Sequence, residues 1–358
     1  MVTRNVIRNF AFRYILPLTN NRKPKTGLLL VNLGTPDSPE VSDVRRYLGQ
    51  FLNDPRVIDI PWLARKILVN LIIVPFRAPK SAKIYKELWT KDGSPLLIYG
   101  NSLKEKLQKR VGEEVVVELA MRYQKPAIKD VLERMRKMNL DRIIVFPLFP
   151  QYASSSTGSA LQEVMEVVKE WWVIPELKLF SQYFDNPLYL DAVAETGREF
   201  SHEKYDHVIF SYHGLPERQV DKVYEDRKCS NHNCDHQLDN ENYYCYKAGC
   251  YYTTHEIVKR LQIPEGKYTV SFQSRLDDKW LKPYSDEVVR QLAEKGAKHI
   301  LVFSPAFTAD CLETTIEIGH EYQDIFTKAG GVKVQLVPSL NDRDQWVETV
   351  YKIVFEGK

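Results

Sequence analysis

Histidine is absent from this 358-residue chain before His202, and cysteine occurs only five times. Four of the cysteines, Cys229, Cys234, Cys245 and Cys250, crowd into one stretch, and Cys311 stands apart. Metal-capable side chains are therefore concentrated in the second half. Charge of one sign is not in excess either: 50 Lys and Arg face 47 Asp and Glu, a net +3. A general nucleic-acid binder would need a basic surplus. No run of about 18 apolar residues is present, so no membrane-spanning helix is expected. Glycine is scarce where a nucleotide site would need it, since NLGTPDS (32–38) holds one, too few for a dinucleotide fingerprint. Ser211 lacks the G-x-S-x-G elbow of a serine nucleophile. What remains is an ordinary globular composition, 44% hydrophobic and 27% charged. The length suits about two domains of roughly 150 residues.

Residues 1–26 carry six basic side chains (Arg4, Arg8, Arg13, Arg22, Lys23, Lys25) and no acidic one, interleaved with Val6, Ile7, Phe10, Phe12, Tyr14 and Ile15. A secretory signal would need a continuous apolar block and a small-residue cleavage site, and neither is there. The segment reads as a basic amphipathic tail, either solvated or lying on a membrane surface. Residues 60–76, IPWLARKILVNLIIVPF, form the most apolar run in the chain. They read as a core helix or as a lip, within 50–80, that touches a membrane or grips an apolar ligand.

Short apolar, β-branched runs alternate with amphipathic helical patterns: 27–34, 115–123, 142–149, 207–214, 268–275, 299–307 and 333–340. Strands that are apolar throughout are buried on both faces, and strands alternating with helices form parallel α/β sheets. The chain also repeats itself. KPAIKDVLERMRKMNLDRIIVFPLF (125–149) parallels KPYSDEVVRQLAEKGAKHILVFSPAF (282–307), each running Lys-Pro, helix, strand, Pro, Phe. This predicts two similar α/β domains, 27–172 and 173–358, the second with a cysteine-rich insertion at 222–252. A cleft beyond the carboxyl ends of the strands is the expected site.

Three segments at predicted strand ends carry chemistry. SYHGLPER (211–218) puts His213 where a strand gives way to a loop, and a neutral imidazole there can act as base or metal ligand. In ADCLETTIEIGHEY (309–322), Glu313, Glu317 and Glu321 recur at i, i+4 and i+8, one helix face. That row is either a solvated face or a ladder that hands on protons or hard cations. The hydroxyl-rich FPQYASSSTGS (149–159) suits helix capping or an anion.

These segments, together with LLVNLGTPDSPEVSDVRRYLGQFLNDPRVIDIP (29–61), KDGSPL (91–96), MRYQKP (121–126), FQSRLDDKWLKP (272–283) and FSPAFTADCLET (303–314), resemble ferrochelatase, the enzyme that inserts Fe(II) into a porphyrin. The resemblance implies two Rossmann-like, chelatase-type domains with the porphyrin in the cleft between them. It implies that His213 binds iron and accepts pyrrole protons, with Glu313 as its paired carboxylate. Glu317 and Glu321 continue the row behind it as a proton or metal path. Leu33, Arg77, Tyr85, Ser94, Arg122, Tyr123 and Trp280 match porphyrin-pocket positions, and the run at 60–76 matches the lip over the cleft mouth. Leu33 points to protoporphyrin IX rather than coproporphyrin as the substrate metallated to protohaem. Cys311, near Glu313, is either a metal-binding thiolate or a small buried residue.

The spacing Cys229-x4-Cys234-x10-Cys245-x4-Cys250 is neither a zinc ribbon nor the plant-type ferredoxin pattern, so by itself it leaves zinc and iron–sulfur open. Some bacterial ferrochelatases resemble this chain in holding a [2Fe–2S] cluster on four cysteines of such an insertion. The mitochondrial type uses one cysteine in the FPQY loop and three at the C-terminus, whereas here Ser154 lies in that loop and no cysteine follows Cys311. A [2Fe–2S] cluster is thus the expected resident cofactor. Protoporphyrin IX and Fe2+ are the expected partners, without nucleic acid, in a cytoplasmic protein with possible peripheral membrane contact and either monomeric or dimeric state. The competing readings are a non-catalytic porphyrin- or iron-binding protein and a chelatase for another divalent metal such as cobalt or nickel, or for coproporphyrin.

Overall fold

A computed structural model describes residues 22–357, so all but the last few residues of the basic tail lie outside it. Among the described residues, eight strands form two separate four-stranded parallel sheets. β1 (Thr26–Asn32), β2 (Val115–Met121), β3 (Arg142–Pro147) and β4 (Glu176–Leu179) take the order β2-β1-β3-β4. β5 (His207–His213), β6 (Tyr268–Gln273), β7 (His299–Phe303) and β8 (Lys333–Leu336) take the order β6-β5-β7-β8. The two halves therefore share one topology.

Burial on both faces explains the apolar runs. In β1, Leu28 and Leu30 point into one core while Leu29 and Val31 point into another. In β7, Leu301 and Phe303 face the first of these cores, whereas Ile300 and Val302 face a third. The core common to both halves joins the sheets, with Tyr183 stacked on Phe146 at 4.7 Å and tilted against Trp346 at 6.2 Å. Lys106 and Arg110 of the helix Pro95–Val111 reinforce the join by pairing with Asp344 and Glu348.

The repeated Lys-Pro elements also match in three dimensions. Lys125-Pro126 and Lys282-Pro283 are both cis. The Pro126 carbonyl accepts from Met121 N–H at 2.7 Å and the Pro283 carbonyl from Phe272 N–H at 2.9 Å. All seven expected strands are present. β4 is an addition, and it joins the edge of the first sheet, which therefore reaches Leu179, past the expected boundary at 172/173.

The apolar run at 60–76 is helical: Trp62–Ile67 leads through a wide π-helical stretch, Leu68–Ile73, into Val74–Leu88. Its inner face (Val69, Val74, Ala78, Ala82, Tyr85, Leu88) packs in one cluster with Tyr47, Tyr123 and Ile316. Its outer face leaves Trp62, Leu63, Ile67, Leu71, Ile72 and Phe76 exposed, Phe76 by 73%. Among the described residues, no helix is long and apolar enough to cross a membrane.

Candidate functional site

His213 ends β5, and the parallel register pairs it with Gln273 at the end of β6. The next residue must be small: a Cβ on Gly214 would stand 2.7 Å from the Gln273 carbonyl oxygen. That closeness lets Gly214 N–H donate to the same oxygen at 2.7 Å. The His213 ring lies 2.7 Å from the Gly214 carbonyl through Nδ1. A carbonyl only accepts, so Nδ1 carries a proton, and in the neutral imidazole Nε2 then has a lone pair for a proton or a metal ion. From behind, Tyr246 Oη donates to the His213 carbonyl at 2.9 Å.

Gln273, 2% exposed, links this strand end to the segment that carries Glu313 and Glu317. Its Oε1 accepts from Ser211 Oγ at 2.7 Å, and its Nε2 donates to the Glu313 carbonyl and to Glu317 Oε2, both at 3.2 Å. Ser274, at φ +64°, adds its N–H at 3.1 Å and its hydroxyl at 2.6 Å to the Glu317 carboxylate. Neither Gln273 nor Ser274 stands out in the sequence, although both lie in the quoted FQSR segment. Burial raises the Glu317 carboxyl to about 7, and the neighbouring Glu313 charge adds to this against the hydrogen bonds from Ser274 and Gln273. Glu321 is raised as well, by burial and by Glu87.

The carboxylate row does not sit on an α-helix. Glu313–Glu321 is π-helical, with i→i+5 bonding, a form that recurs at functional sites. Glu313 and Glu317 are half-buried and Glu321 is exposed, so the row leads from the interior to solvent. Ile316, between the first two carboxylates, packs with the inner face of the 62–88 helices. Cys311 is buried, and burial, with the adjacent Glu313 carboxylate, pushes its thiol well up, which favours a neutral thiol over a thiolate ligand.

Of the expected porphyrin-pocket residues, Leu33, Tyr85 and Tyr123 belong to the cluster that contains Ile316. Tyr85 meets Tyr47 edge-on at 6.3 Å, and Phe51 meets Tyr123 at 5.4 Å, making an aromatic wall beside the carboxylate row. Trp280 lies against the His213 loop through its bridge to Pro216. Arg77 is exposed on the 74–88 helix, and Ser94 is buried, accepting from Thr35 Oγ1 at 3.0 Å.

Arg122 is committed elsewhere, to Asp54 at 2.9 Å and to Glu163 at 3.4 Å. Asp54 also takes the hydroxyls of Ser159 at 2.5 Å and Tyr123 at 2.9 Å. Burial alone would raise the Asp54 carboxyl; the bonds from Ser159, the Arg56 amide and Tyr123, with the Arg122 charge, hold it below the usual range. Ser154 of the same loop accepts from Arg56 Nη1 at 2.9 Å. Neither helix beginning in SSSTGS has a side-chain cap bond. Ser154 and Ser159 are thus taken up by Arg56, Asp54 and Arg122, while Thr157 Oγ1 is buried without a hydrogen-bond partner among the described residues.

Three of the four clustered cysteines converge. Cys229 Sγ lies 3.8 Å from that of Cys234 and 3.9 Å from that of Cys245, all three buried. Cys245 stands at the N-terminus of the helix Tyr246–Leu261, and hydrogen bonds from the Cys229 and Cys234 thiols hold its own thiol well below the ordinary range. Tyr224 Oη is 2.8 Å from Cys234 Sγ. Cys250, one helical turn beyond Cys245, is fully buried but outside the converging three. An all-sulfur, water-excluded donor set suits zinc or an iron–sulfur centre.

The ferrochelatase family model matches residues 25–358. A ferrochelatase of Coxiella burnetii (strain RSA 493 / Nine Mile phase I) is 42% identical over 342 residues, 95% of each chain. One from Legionella pneumophila (strain Corby) is 41% identical over 333 residues, 93% of this chain and 99% of the relative. Among solved structures, the sirohydrochlorin chelatase SirB from Bacillus subtilis subspecies spizizenii, in complex with cobalt, matches with TM-score 0.50 at 13% identity, over 93% of this chain and 94% of that one. That likeness concerns the fold alone.

Proposed function

The chain belongs to the ferrochelatase family and inserts ferrous iron into a porphyrin to form protohaem, and from this premise we propose that His213 carries the chemistry with Glu313 and Glu317. The observation behind this reading is the His213 ring at the end of β5, its Nδ1 engaged and its Nε2 free to accept in the neutral form, beside Gln273, whose side chain bonds the Glu313 main-chain carbonyl and the Glu317 carboxylate. Metallation releases two pyrrole protons and strips water from Fe(II). His213 Nε2 takes a pyrrole proton, and imidazole with carboxylate is a suitable first ligand set for the incoming iron. Glu317, poised near neutrality, passes protons outward, and the exposed Glu321 delivers them to solvent. The aromatic wall of Tyr47, Tyr85, Phe51 and Tyr123, with Leu33 and Trp280, holds the macrocycle as protoporphyrin IX, and Arg77 meets a propionate at the mouth. The exposed stripe from Trp62 to Phe76 rests on a membrane surface, which supplies the apolar substrate.

Cys229, Cys234 and Cys245, whose sulfurs converge, with Cys250 from the first turns of the following helix, would hold a [2Fe–2S] cluster. When bound, the cluster supplies a one-electron redox centre, which metallation does not need because no oxidation state changes. The near 3.8 Å sulfur spacings also suit one tetrahedral zinc ion on three of these thiolates. Iron and acid-labile sulfide analysis of anaerobically purified, red-brown protein supports the cluster, and colourless protein with stoichiometric zinc overturns it.

Anaerobic incubation with Fe(II) and protoporphyrin IX tests the function. Loss of porphyrin fluorescence over many turnovers supports it. Stoichiometric quenching identifies a porphyrin-binding protein instead, and preference for cobalt or nickel, or for coproporphyrin, identifies a different chelatase.

A further inference from the structure

The short segment between the histidine loop and the first clustered cysteine is held on two sides. On one side Glu217 N–H donates to the Lys279 carbonyl at 2.9 Å, and Leu281 N–H to the Leu215 carbonyl at 3.0 Å. On the other side the segment reaches across to the first half of the chain. Arg218 and Lys222 both meet the Asp59 carboxylate, Lys222 at 2.6 Å, and Gln219 Nε2 donates to the Val57 carbonyl at 3.2 Å. The Asp59 side chain is only 13% exposed, while those of its two cations are 55% and 52% exposed.

Asp59 stands at the root of the apolar lip. Upstream, the Val57 and Ile58 amides both donate to the Asp54 carbonyl at 3.0 Å, so residues 54–58 are a fixed turn. Downstream, the buried Arg65 bends back to the Ile60 carbonyl at 2.9 Å and binds the first turn of the lip helix to the same root. Beyond it, the outer face from Trp62 to Phe76 has no protein packed on it among the described residues. The angle of the lip over the carboxylate row is therefore set by its packed inner face together with the bonds that pin its root.

We propose that Asp59 is a latch: a positioning residue that, through Arg218 and Lys222, fixes the lip root against the segment leading from the His213 loop to the cysteine-rich insertion, and so slows the departure of the porphyrin. The proposal rests on the reading that the lip covers a porphyrin. Two exposed cations converging on one enclosed carboxylate favour a local role, because removing Asp59 leaves both free to hydrate. The same segment reaches the insertion directly, since Asp221 Oδ1 accepts from Cys229 N–H at 2.8 Å.

The test compares wild type, Asp59→Ala, Asp59→Glu, the double variant Arg218→Ala/Lys222→Ala and all three alanines together, in the full chain. Amide hydrogen exchange over 60–76, protoporphyrin IX dissociation by stopped-flow fluorescence, and KM and kcat are read. In Asp59→Ala, lip exchange, porphyrin dissociation and KM rise by about fivefold, as the loss of an ion-pair cluster implies. Meanwhile kcat stays within about twofold, because an interaction made equally before and during the chemistry affects KM alone. Asp59→Glu restores most of the effect, and the triple variant adds nothing to Asp59→Ala because all three residues act as one unit. Unchanged lip exchange, exchange raised over the whole chain, or a fall in kcat with KM constant overturns the latch. If the wild type fails to turn over porphyrin, the functional reading falls, and the exchange over 60–76 still decides whether Asp59 holds the lip.

Discussion

Replacing Glu317 with Gln is expected to make the protein more stable at alkaline pH while lowering its chelatase activity. In the folded chain the Glu317 carboxyl titrates at about 7, against 4.5 for an unperturbed one, chiefly because it is buried and secondarily because Glu313 is close. The native state therefore binds the proton more tightly than the unfolded chain between these two values. Stability from this group is fully present below pH 4.5 and is lost as pH rises through 7, by about 3 kcal/mol in all. A glutamine mimics the protonated carboxyl at every pH. It also disturbs the bonds from Ser274 and Gln273, which offsets part of the gain by about 1 kcal/mol. Urea denaturation at intervals from pH 4.5 to 8.5 measures both effects. The difference in unfolding free energy, variant minus wild type, is expected to climb with pH by about 3 kcal/mol and to end in the variant's favour at pH 8. A difference that stays flat across this range, or falls with pH, would refute the claim that Glu317 holds its proton near neutrality. Its place in the proton path would fall with it.

Other consequences follow from the same geometry. Asp54→Ala removes the carboxylate that gathers Arg122, Tyr123 and Ser159, and it is expected to lower stability by about 3–5 kcal/mol, as for a broken buried pair; a change under 1 kcal/mol in urea melts contradicts this. Cys245→Ser is expected to remove the visible absorption and the bound iron of the purified protein, and retention of full iron content would show that Cys245 is no ligand. Replacing Leu71 and Phe76 together with Ser is expected to cut co-sedimentation with anionic lipid vesicles by about tenfold, given the exposed apolar area removed. Equal binding would leave the stripe without a membrane role.

Strands such as β1, β3 and β7 were legible because they are apolar runs buried on both faces, a pattern that needs no tertiary knowledge. β4 was not, since Glu176–Leu179 alternates between exposed and half-buried positions at a sheet edge and is only four residues long. His213 and the glutamate row could be picked out by residue type and spacing. Their connection could not, because Gln273 joins them through strand register, and a lone glutamine carries no chemical signature. The i, i+4, i+8 spacing likewise fits an α-helix and a π-helix, and only the backbone distinguishes them. The partners of Ser154 and Ser159 in the SSSTGS loop were hidden for a related reason: Asp54, Arg56 and Arg122 lie far away in sequence. Among the cysteines, clustering along the chain did not translate into four converging sulfurs, since Cys250 sits a helical turn beyond the rest.

The central claim is that His213 Nε2 first holds the incoming iron and, once the iron has passed to the macrocycle, accepts a pyrrole proton on the same lone pair. It is tested most directly by anaerobic Fe(II) insertion into protoporphyrin IX, with wild type and His213→Ala assayed side by side and their circular dichroism and porphyrin affinity compared. The expected result is steady turnover by wild type and a loss of at least about a thousandfold in the variant, within the range of a lost general base and metal ligand, with fold and porphyrin binding retained. A folded His213→Ala protein that still metallates porphyrin within about tenfold of the wild-type rate would contradict the account, because a missing general base alone costs about a hundredfold or more.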